Sequence, residues 1–229
     1  MRILNLYAGI GGNRKLWPNV DITAVEFNPK VAAIYKHFYP GDEVIVCDAH
    51  QYLLAHFKEY DFIWLSYPCQ SHTRLNTASF PKGSKEYVFP DLKLYEEIIF
   101  LKHFFYGKFS AENVIPYYKP LIEPTIEIDR HLFWTNFEIE PYQVETKKRP
   151  HIESEVPYLQ QYLGFDLTRF NVANKRQLLR NCVVPEIGLH ILNAAFPNGF
   201  EKTAARGQKI NYEQVALNFD TKKECSTCH

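Results

Sequence analysis

The chain has 229 residues, 46% of them hydrophobic and 23% charged, with 26 Lys and Arg balancing 26 Asp and Glu. That length accommodates one medium-sized catalytic domain with a small appendage and excludes two full domains. No run reaches the ~20 consecutive apolar residues of a membrane span, and Met1-Arg2-Ile3-Leu4-Asn5-Leu6 leads into a Gly-rich turn rather than a signal peptide. A cytoplasmic setting with no membrane partner is therefore expected. The 5 Cys at irregular spacing argue against a disulfide framework and suit a reducing compartment.

Short β-rich runs alternate with helix-like stretches through residue 115. The expected strands are Arg2–Tyr7, Asp21–Glu26, Glu43–Cys47, Asp61–Ser66 and Lys108–Glu112. Helical apolar spacing covers Pro29–Phe38, His50–Phe57 and Leu92–Phe105. This alternation predicts βαβ units, hence a mostly parallel sheet with helices on both faces and ligands at the carboxyl ends of the strands.

Tyr7-Ala8-Gly9-Ile10-Gly11-Gly12 follows the first strand directly. Glycines there let backbone approach a ligand, and a helix is expected to follow and offer free N–H groups. The dinucleotide pattern G-x-G-x-x-G fails because its third glycine falls on Arg14, and the P-loop Gly-Lys-Ser/Thr is absent. Glu26 ends the second strand, where an acid can accept hydrogen bonds from both ribose hydroxyls of a nucleoside. Asp48 ends the third and can take an exocyclic amine, although an acid before Ala49-His50 suits a helix N-cap equally well. A nucleoside-bearing cofactor without a pyrophosphate points to S-adenosylmethionine.

The fourth strand ends in Ser66-Tyr67-Pro68-Cys69-Gln70 and the fifth in Glu112-Asn113-Val114. A nucleophilic thiol and a carboxyl group on neighbouring strand ends suit one difficult reaction. Carbon 5 of cytosine becomes nucleophilic only after a thiolate adds at carbon 6, and an acid at ring nitrogen N3 assists that addition. Glu112 must then carry a proton near neutrality, so burial has to raise it from about 4.3. A buried structural thiol at Cys69, and an ion pair or cap at Glu112, are the bland alternatives.

Beyond Glu138 the pattern weakens. Residues 139–175 hold Pro141, Pro150, Pro157, Gly164 and the Lys147-Lys148-Arg149 cluster, and read as a small irregular insertion. Helical spacing returns at Pro185–Phe196. Residues 141–210 carry ten Lys and Arg against six acids, a basic balance that can follow a phosphate backbone or simply solvate a surface. Cys225-Ser226-Thr227-Cys228-His229 spells a haem-attachment pattern, but with neither a secretion signal nor a haem-enclosing fold it reads as coincidence. No resident metal is expected.

These residues resemble the DNA cytosine-5 methyltransferases. Tyr7 to Gly12 resembles the family's first motif, with Tyr for its usual Phe. Glu26, with Phe27, and Asp48, with Ala49, match the second and third; Pro68-Cys69-Gln70 resembles the Pro-Cys-Gln signature. Leu94 stands in the fifth motif, Glu112-Asn113-Val114 matches the sixth, and Arg180-Asn181-Cys182-Val183-Val184 resembles the last.

The resemblance implies a class I S-adenosylmethionine-dependent methyltransferase, Rossmann-like, with a short target-recognition insertion. It divides the chain into a catalytic domain at 1–138, a recognition region at 139–175, a return helix at 176–198 and a tail at 199–229. Catalysis falls to Cys69 and Glu112, with Arg130 or His131 as the basic group. The cofactor, S-adenosyl-L-methionine leaving as S-adenosyl-L-homocysteine, falls to Tyr7, Ala8, Gly9, Gly11, Gly12, Glu26, Phe27, Asp48, Ala49, Pro68, Leu94 and Asn181.

Double-stranded DNA carrying a flipped-out cytosine is the implied partner. Gln70, Arg74, Lys82, Lys85, Lys147, Lys148, Arg149 and Arg176 are the expected contacts. A monomer is expected, with a cognate restriction endonuclease as its natural companion. The sequence departs from the family at Tyr67, usually proline, at Arg180, usually glycine, and at the eighth motif, whose nearest copy is Asp129-Arg130-His131. Three other readings stay open: a transfer-RNA cytosine-5 methyltransferase, an amino methyltransferase using Ser66-Tyr67-Pro68-Cys69, and a catalytically silent DNA-binding relative.

Overall fold

The computed structural model describes residues 1–18, 20–76, 88–144 and 155–199. Seven strands form its sheet: β1 (Arg2–Leu6), β2 (Asp21–Val25), β3 (Glu43–Ile45), β4 (Phe62–Ser66), β5 (Lys108–Val114), β6 (Ile126–Ile128) and β7 (His131–Thr135). Six helices accompany them: α1 (Pro29–Phe38), α2 (Ala49–His56), α3 (Lys93–Phe104), α4 (Glu155–Leu163), α5 (Lys175–Arg180) and α6 (Pro185–Ala195).

The strand order is β3-β2-β1-β4-β5-β7-β6. β1 to β5 run parallel, and β7 alone is antiparallel to its neighbours. This is the sheet of the class I S-adenosylmethionine-dependent methyltransferases. The central strands are apolar runs buried on both faces, as a covered parallel sheet requires. Ile3, Phe62, Trp64 and Phe133 point towards α6 (Ile187, Ile191), while Leu4, Leu6, Ile63, Leu65 and Trp134 point towards α2 and α3 (Leu53, Leu94, Ile98, Leu101). The period-two alternation of side chains along each strand produces this division.

Local sequence sets the helix starts. The Asn28 side chain accepts from Lys30 N at 2.9 Å, and Pro29 opens α1 with its missing N–H. Asp48 Oδ1 accepts from Gln51 N at 2.9 Å and caps α2. Pro157 is tolerated in α4 because it lies in the first turn, where no i−4 acceptor is needed. The β6–β7 hairpin turns on Asp129, whose φ of 56° places it in the left-handed region.

Two features depart from the sequence reading. No helix follows the Gly-rich turn: residues 7–17 make successive turns, with Gly11 N to Ala8 O at 3.0 Å and Trp17 N to Arg14 O at 3.0 Å. Tertiary contacts hold this segment instead. Arg14 forms a two-pronged ion pair with Asp42 (2.9 and 3.1 Å), Tyr35 Oη donates to Asp42 at 2.8 Å, and Tyr39 Oη donates to Gly11 O at 2.7 Å. The second departure concerns residues 139–175. Their described part holds one regular element: α4 buries Leu159 and Leu163 with Phe165 and Leu167 against Ile10, Val31 and Ile34, so it is packed onto α1 and the Gly-rich turn. Among the described residues no helix is long and apolar enough to cross a membrane.

Candidate active site

The glycine turn after β1 makes an open cradle. Tyr7, Gly9 and Gly11 all adopt positive φ (55°, 56° and 82°). A Cβ added at Gly9 would meet nothing within 4 Å, so a ligand can lie directly on this backbone. Glu26, at the end of β2, accepts from Gly9 N at 3.0 Å and from Asn28 N at 2.9 Å, which fixes its carboxylate against the cradle. Each oxygen keeps a further lone pair for a ribose hydroxyl. Phe27 follows it, 75% exposed, a bare ring face suited to a nucleobase.

The other residues expected at the cofactor are placed as follows. Asp48 is exposed and serves as the α2 cap. Ala8, Ala49 and Leu94 are buried, Ala49 and Leu94 in the cluster between sheet and helices. Gly11 and Gly12 are packing positions: at Gly11 a Cβ would run into the Tyr35 and Tyr39 rings, and at Gly12 it would lie 2.6 Å from Cys182 Cβ and 2.7 Å from Val183 O. The last motif thus returns to the Gly-rich turn through Cys182 and Val183. Asn181 is exposed at the end of α5, where it accepts from the Gln177 side chain.

The chemical groups gather at the ends of β4 and β5. Cys69 lies three residues beyond Ser66, with Pro68 exposed before it and Gln70 exposed after it. Asn113 Nδ2 donates to Tyr67 O at 3.1 Å and so ties the turn that carries Cys69 to β5. Tyr67 is a buried aromatic whose hydroxyl donates to Asp91 Oδ2 at 2.6 Å and whose ring meets Tyr7 edge-on at 5.1 Å.

Glu112 is buried, and burial pushes its carboxyl up to about 7 against the opposing pull of a Ser66 hydrogen bond and the Arg130 charge. The Ser66 hydroxyl in turn accepts from Trp64 Nε1 at 2.8 Å. His131 Nε2 lies 3.6 Å from Glu112 Oε1. Burial, then the Glu112 charge, push the Cys69 thiol above its ordinary range, while Arg130 pulls it down. Arg130 is anchored from its other side, where Nη2 donates to Arg180 O at 2.5 Å. Cys69, Glu112, Arg130 and His131 therefore converge, with Arg130 and His131 placed by the β6–β7 turn.

Both flanks of the loop after Cys69 are held by one segment that the sequence reading passed over. Cys69 O accepts from His72 N and Thr73 N at 3.0 Å each. Thr73 pairs with Pro116, Tyr117 N donates to His72 O at 3.1 Å, His72 Nδ1 meets Tyr118 Oη at 2.6 Å, and Tyr117 Oη donates to Val88 O at 3.0 Å. Pro116-Tyr117-Tyr118 carries no motif, so only the fold reveals it.

Of the expected DNA contacts, Arg74 donates to Pro116 O at 3.4 Å, and Arg176 Nε is held by Glu155 at 2.6 Å, which neutralises its charge locally. Lys82, Lys85, Lys147, Lys148 and Arg149 lie outside the described residues, as does the Cys225–His229 tail. Beside Arg130, between the hairpin turn and α4, opens a cavity of ≈ 100 Å³ lined by Tyr158, Tyr162 and Cys182.

No family model and no curated protein matches the chain. Solved structures do. The DNMT2 of Spodoptera frugiperda is 25% identical over 49% of this chain and 35% of its own, with a TM-score of 0.35. The methyltransferase EhMeth of Entamoeba histolytica is 11% identical over 86% of this chain and 98% of its own, with a TM-score of 0.48. An S-adenosylmethionine-dependent methyltransferase described from Streptococcus mutans is 18% identical over 49% of this chain and 30% of its own, with a TM-score of 0.33. The chain thus spans about a third of the length of the insect protein. The strand order is that of the class I methyltransferase fold, with the Gly9 and Glu26 cradle at the carboxyl ends of its first two strands.

Proposed function

We propose that this protein is a DNA cytosine-5 methyltransferase acting through Cys69. The observation that carries the reading is the buried Glu112, whose carboxyl is pushed by burial up to about 7 and whose charge acts on Cys69. An amino methyltransferase needs neither a thiol at this point nor a neutral carboxylic acid next to it.

Cys69 thiolate adds to carbon 6 of the cytosine, forming an S–C bond as the C5–C6 π electrons shift through the ring towards N3. Glu112 delivers its proton to N3 and absorbs that charge. Arg130 stabilises the thiolate before addition and the polar edge of the base after it. S-adenosylmethionine, cradled by Gly9, Glu26 and Phe27, supplies the methyl group to carbon 5 and leaves as S-adenosylhomocysteine. A base then takes the carbon-5 proton, the S–C bond breaks, and Cys69 leaves as thiolate. The N3 proton returns to Glu112 in the same collapse. Duplex DNA is the substrate class this chemistry fits, with the base flipped out to reach a thiol recessed at the sheet edge.

Bisulfite sequencing of plasmid from expressing cells tests the proposal. Protected cytosines in one short sequence, absent with Cys69→Ala, are expected. Unmethylated plasmid, with label from the methyl donor passing to transfer RNA in vitro, would overturn the DNA assignment and leave the thiol chemistry. Full activity of Cys69→Ala would overturn both.

A further inference from the structure

A second buried carboxyl group lies on the opposite side of the sheet from Glu112, and the transfer chemistry does not use it. Glu97, on the inner face of α3 one turn beyond Leu94, is 1% exposed. Its Oε1 accepts from Tyr7 Oη at 2.5 Å and sits 3.0 Å from His50 Nδ1. Its Oε2 is buried and has no hydrogen-bond partner. Tyr7 begins the Gly-rich cradle, and His50 is the second residue of α2, directly after the Asp48 cap and Ala49. One carboxyl oxygen therefore joins three separate segments that border the cofactor cradle: the β1 mouth, the start of α2, and α3.

We infer that Glu97 is a positioning residue for the cofactor, holding Tyr7 and the start of α2 in the arrangement that binds S-adenosylmethionine. This rests on the cofactor assignment above. The residue's surroundings explain why it acts as a hinge pin and not as a passive core group. Tyr7 has φ +55°, a left-handed conformation that strains a non-glycine residue, and the hydrogen bond from its hydroxyl keeps the ring, and with it the strained turn, in place. An ionised Glu97 accepts from Tyr7 and His50 together; a protonated one spends part of its capacity as a donor with no acceptor near Oε2.

Burial raises the Glu97 carboxyl to about 7, with Tyr7 and His50 pulling it back and Asp48 adding to the rise. Tyr67, after β4, completes the ring of groups whose charges act on it. Ionisation, which lets one carboxylate hold Tyr7 and His50 together, therefore favours cofactor binding above neutrality, and protonation weakens it below.

The test is calorimetric titration of the full chain with S-adenosylmethionine at pH 6, 7 and 8, in wild type, E97Q and H50N. One linked proton sets the ceiling at about tenfold in Kd per pH unit. The wild type is expected to bind roughly tenfold more tightly at pH 8 than at pH 6. E97Q should bind weakly at all three, with no pH dependence. H50N removes one donor but leaves the carboxyl, so its slope should persist. Circular dichroism confirms that each variant folds, and the wild-type pH series stands even if E97Q does not. A pH-independent wild-type Kd, or an E97Q slope equal to wild type, overturns the role of Glu97 and leaves the cofactor assignment intact. Absence of binding at every pH overturns both.

Discussion

Ser66 on β4 stands directly opposite Glu112 on β5, and the Ser66 hydroxyl donates to a carboxyl group closed off from solvent. That register sets the whole active site, because the nucleophile follows three residues beyond Ser66 and the Arg130 turn closes over β5 from β7. The proposed reaction needs the two groups in opposite states. It requires Glu112 protonated, as it is below about 7, and Cys69 deprotonated, although its thiol is pushed above the usual range. Below pH 7 the reactive fraction rises with thiolate. Above 7 the gain in thiolate and the loss of the Glu112 proton cancel, so kcat/KM for the wild type should level off near pH 7. Glu112→Gln should lower activity by roughly 10²–10⁴-fold and continue to rise through pH 7 towards the thiol's own range. A Glu112→Gln profile that still bends at 7 would remove Glu112 from the acid role.

The same carboxyl leaves a mark on stability that needs no substrate. An unfolded Glu loses its proton near 4.3, while folded Glu112 keeps its proton up to about 7. Between those values the native state binds more protons than the unfolded chain, so this group's contribution falls as pH rises and is flat above 7. Glu112→Gln lacks the penalty. Chemical denaturation should find the variant's stability relative to wild type growing from pH 5 to pH 8, by at most ~3 kcal/mol. A constant difference across that range would mean that the carboxyl titrates normally.

Much of this arrangement is legible in the sequence because its elements are dictated locally. β1, β2, β4 and β5 are apolar runs stopped by Gly, Pro or an acid, and each predicted span ends within two residues of the observed one. Cys69 and Glu112 are legible as a candidate pair because Cys69 follows such a run and Glu112 lies near the end of another. The rest depends on distant contacts. β6 has three residues, one of them exposed, too short for a periodic signal. α4 begins with a proline in its first turn and draws its stability from Leu159 and Leu163 packing on α1. The helix expected after Gly12 is replaced by turns because Cys182, from a segment 170 residues away, fills the space over that glycine. Glu97 alone left a trace, its i+3 spacing from Leu94 on one helix face.

The turns after β1 depend on one buried ion pair. Arg14 and Asp42 are 11% and 5% exposed, and Asp42 also takes the Tyr35 hydroxyl and caps nothing else of local structure. Removing one partner of such a pair strands the other charge, so Asp42→Ala should cost about 3–5 kcal/mol. The double variant Asp42→Ala with Arg14→Met removes both charges and should recover part of that loss, as thermal unfolding of the three proteins can establish. Equal stability of the single variant and wild type would show that the turn is held by Tyr39 and its neighbours instead.

Two glycines should separate folding from cofactor binding. Gly188 is helical, and a Cβ there would press into the backbone of Asn13, with Asn13 O as its nearest atom. Backbone cannot rotate aside, so overpacking of roughly 1–3 kcal/mol outweighs the ~1 kcal/mol that alanine gains in a helix. Gly188→Ala should therefore lower the melting temperature while the folded fraction binds S-adenosylhomocysteine normally. Gly9 has open space around it but a φ of +56°, so alanine there meets no atom and pays only the left-handed strain, about 1–2 kcal/mol. Its new methyl group projects into the cradle instead. Gly9→Ala should fold and lose at least tenfold in cofactor affinity by calorimetric titration, as ~1.4 kcal/mol of displaced contact would produce. If Gly9→Ala binds as tightly as wild type, the ligand does not lie on this turn. If Gly188→Ala is the variant that loses binding, the α6 contact belongs to the cofactor site.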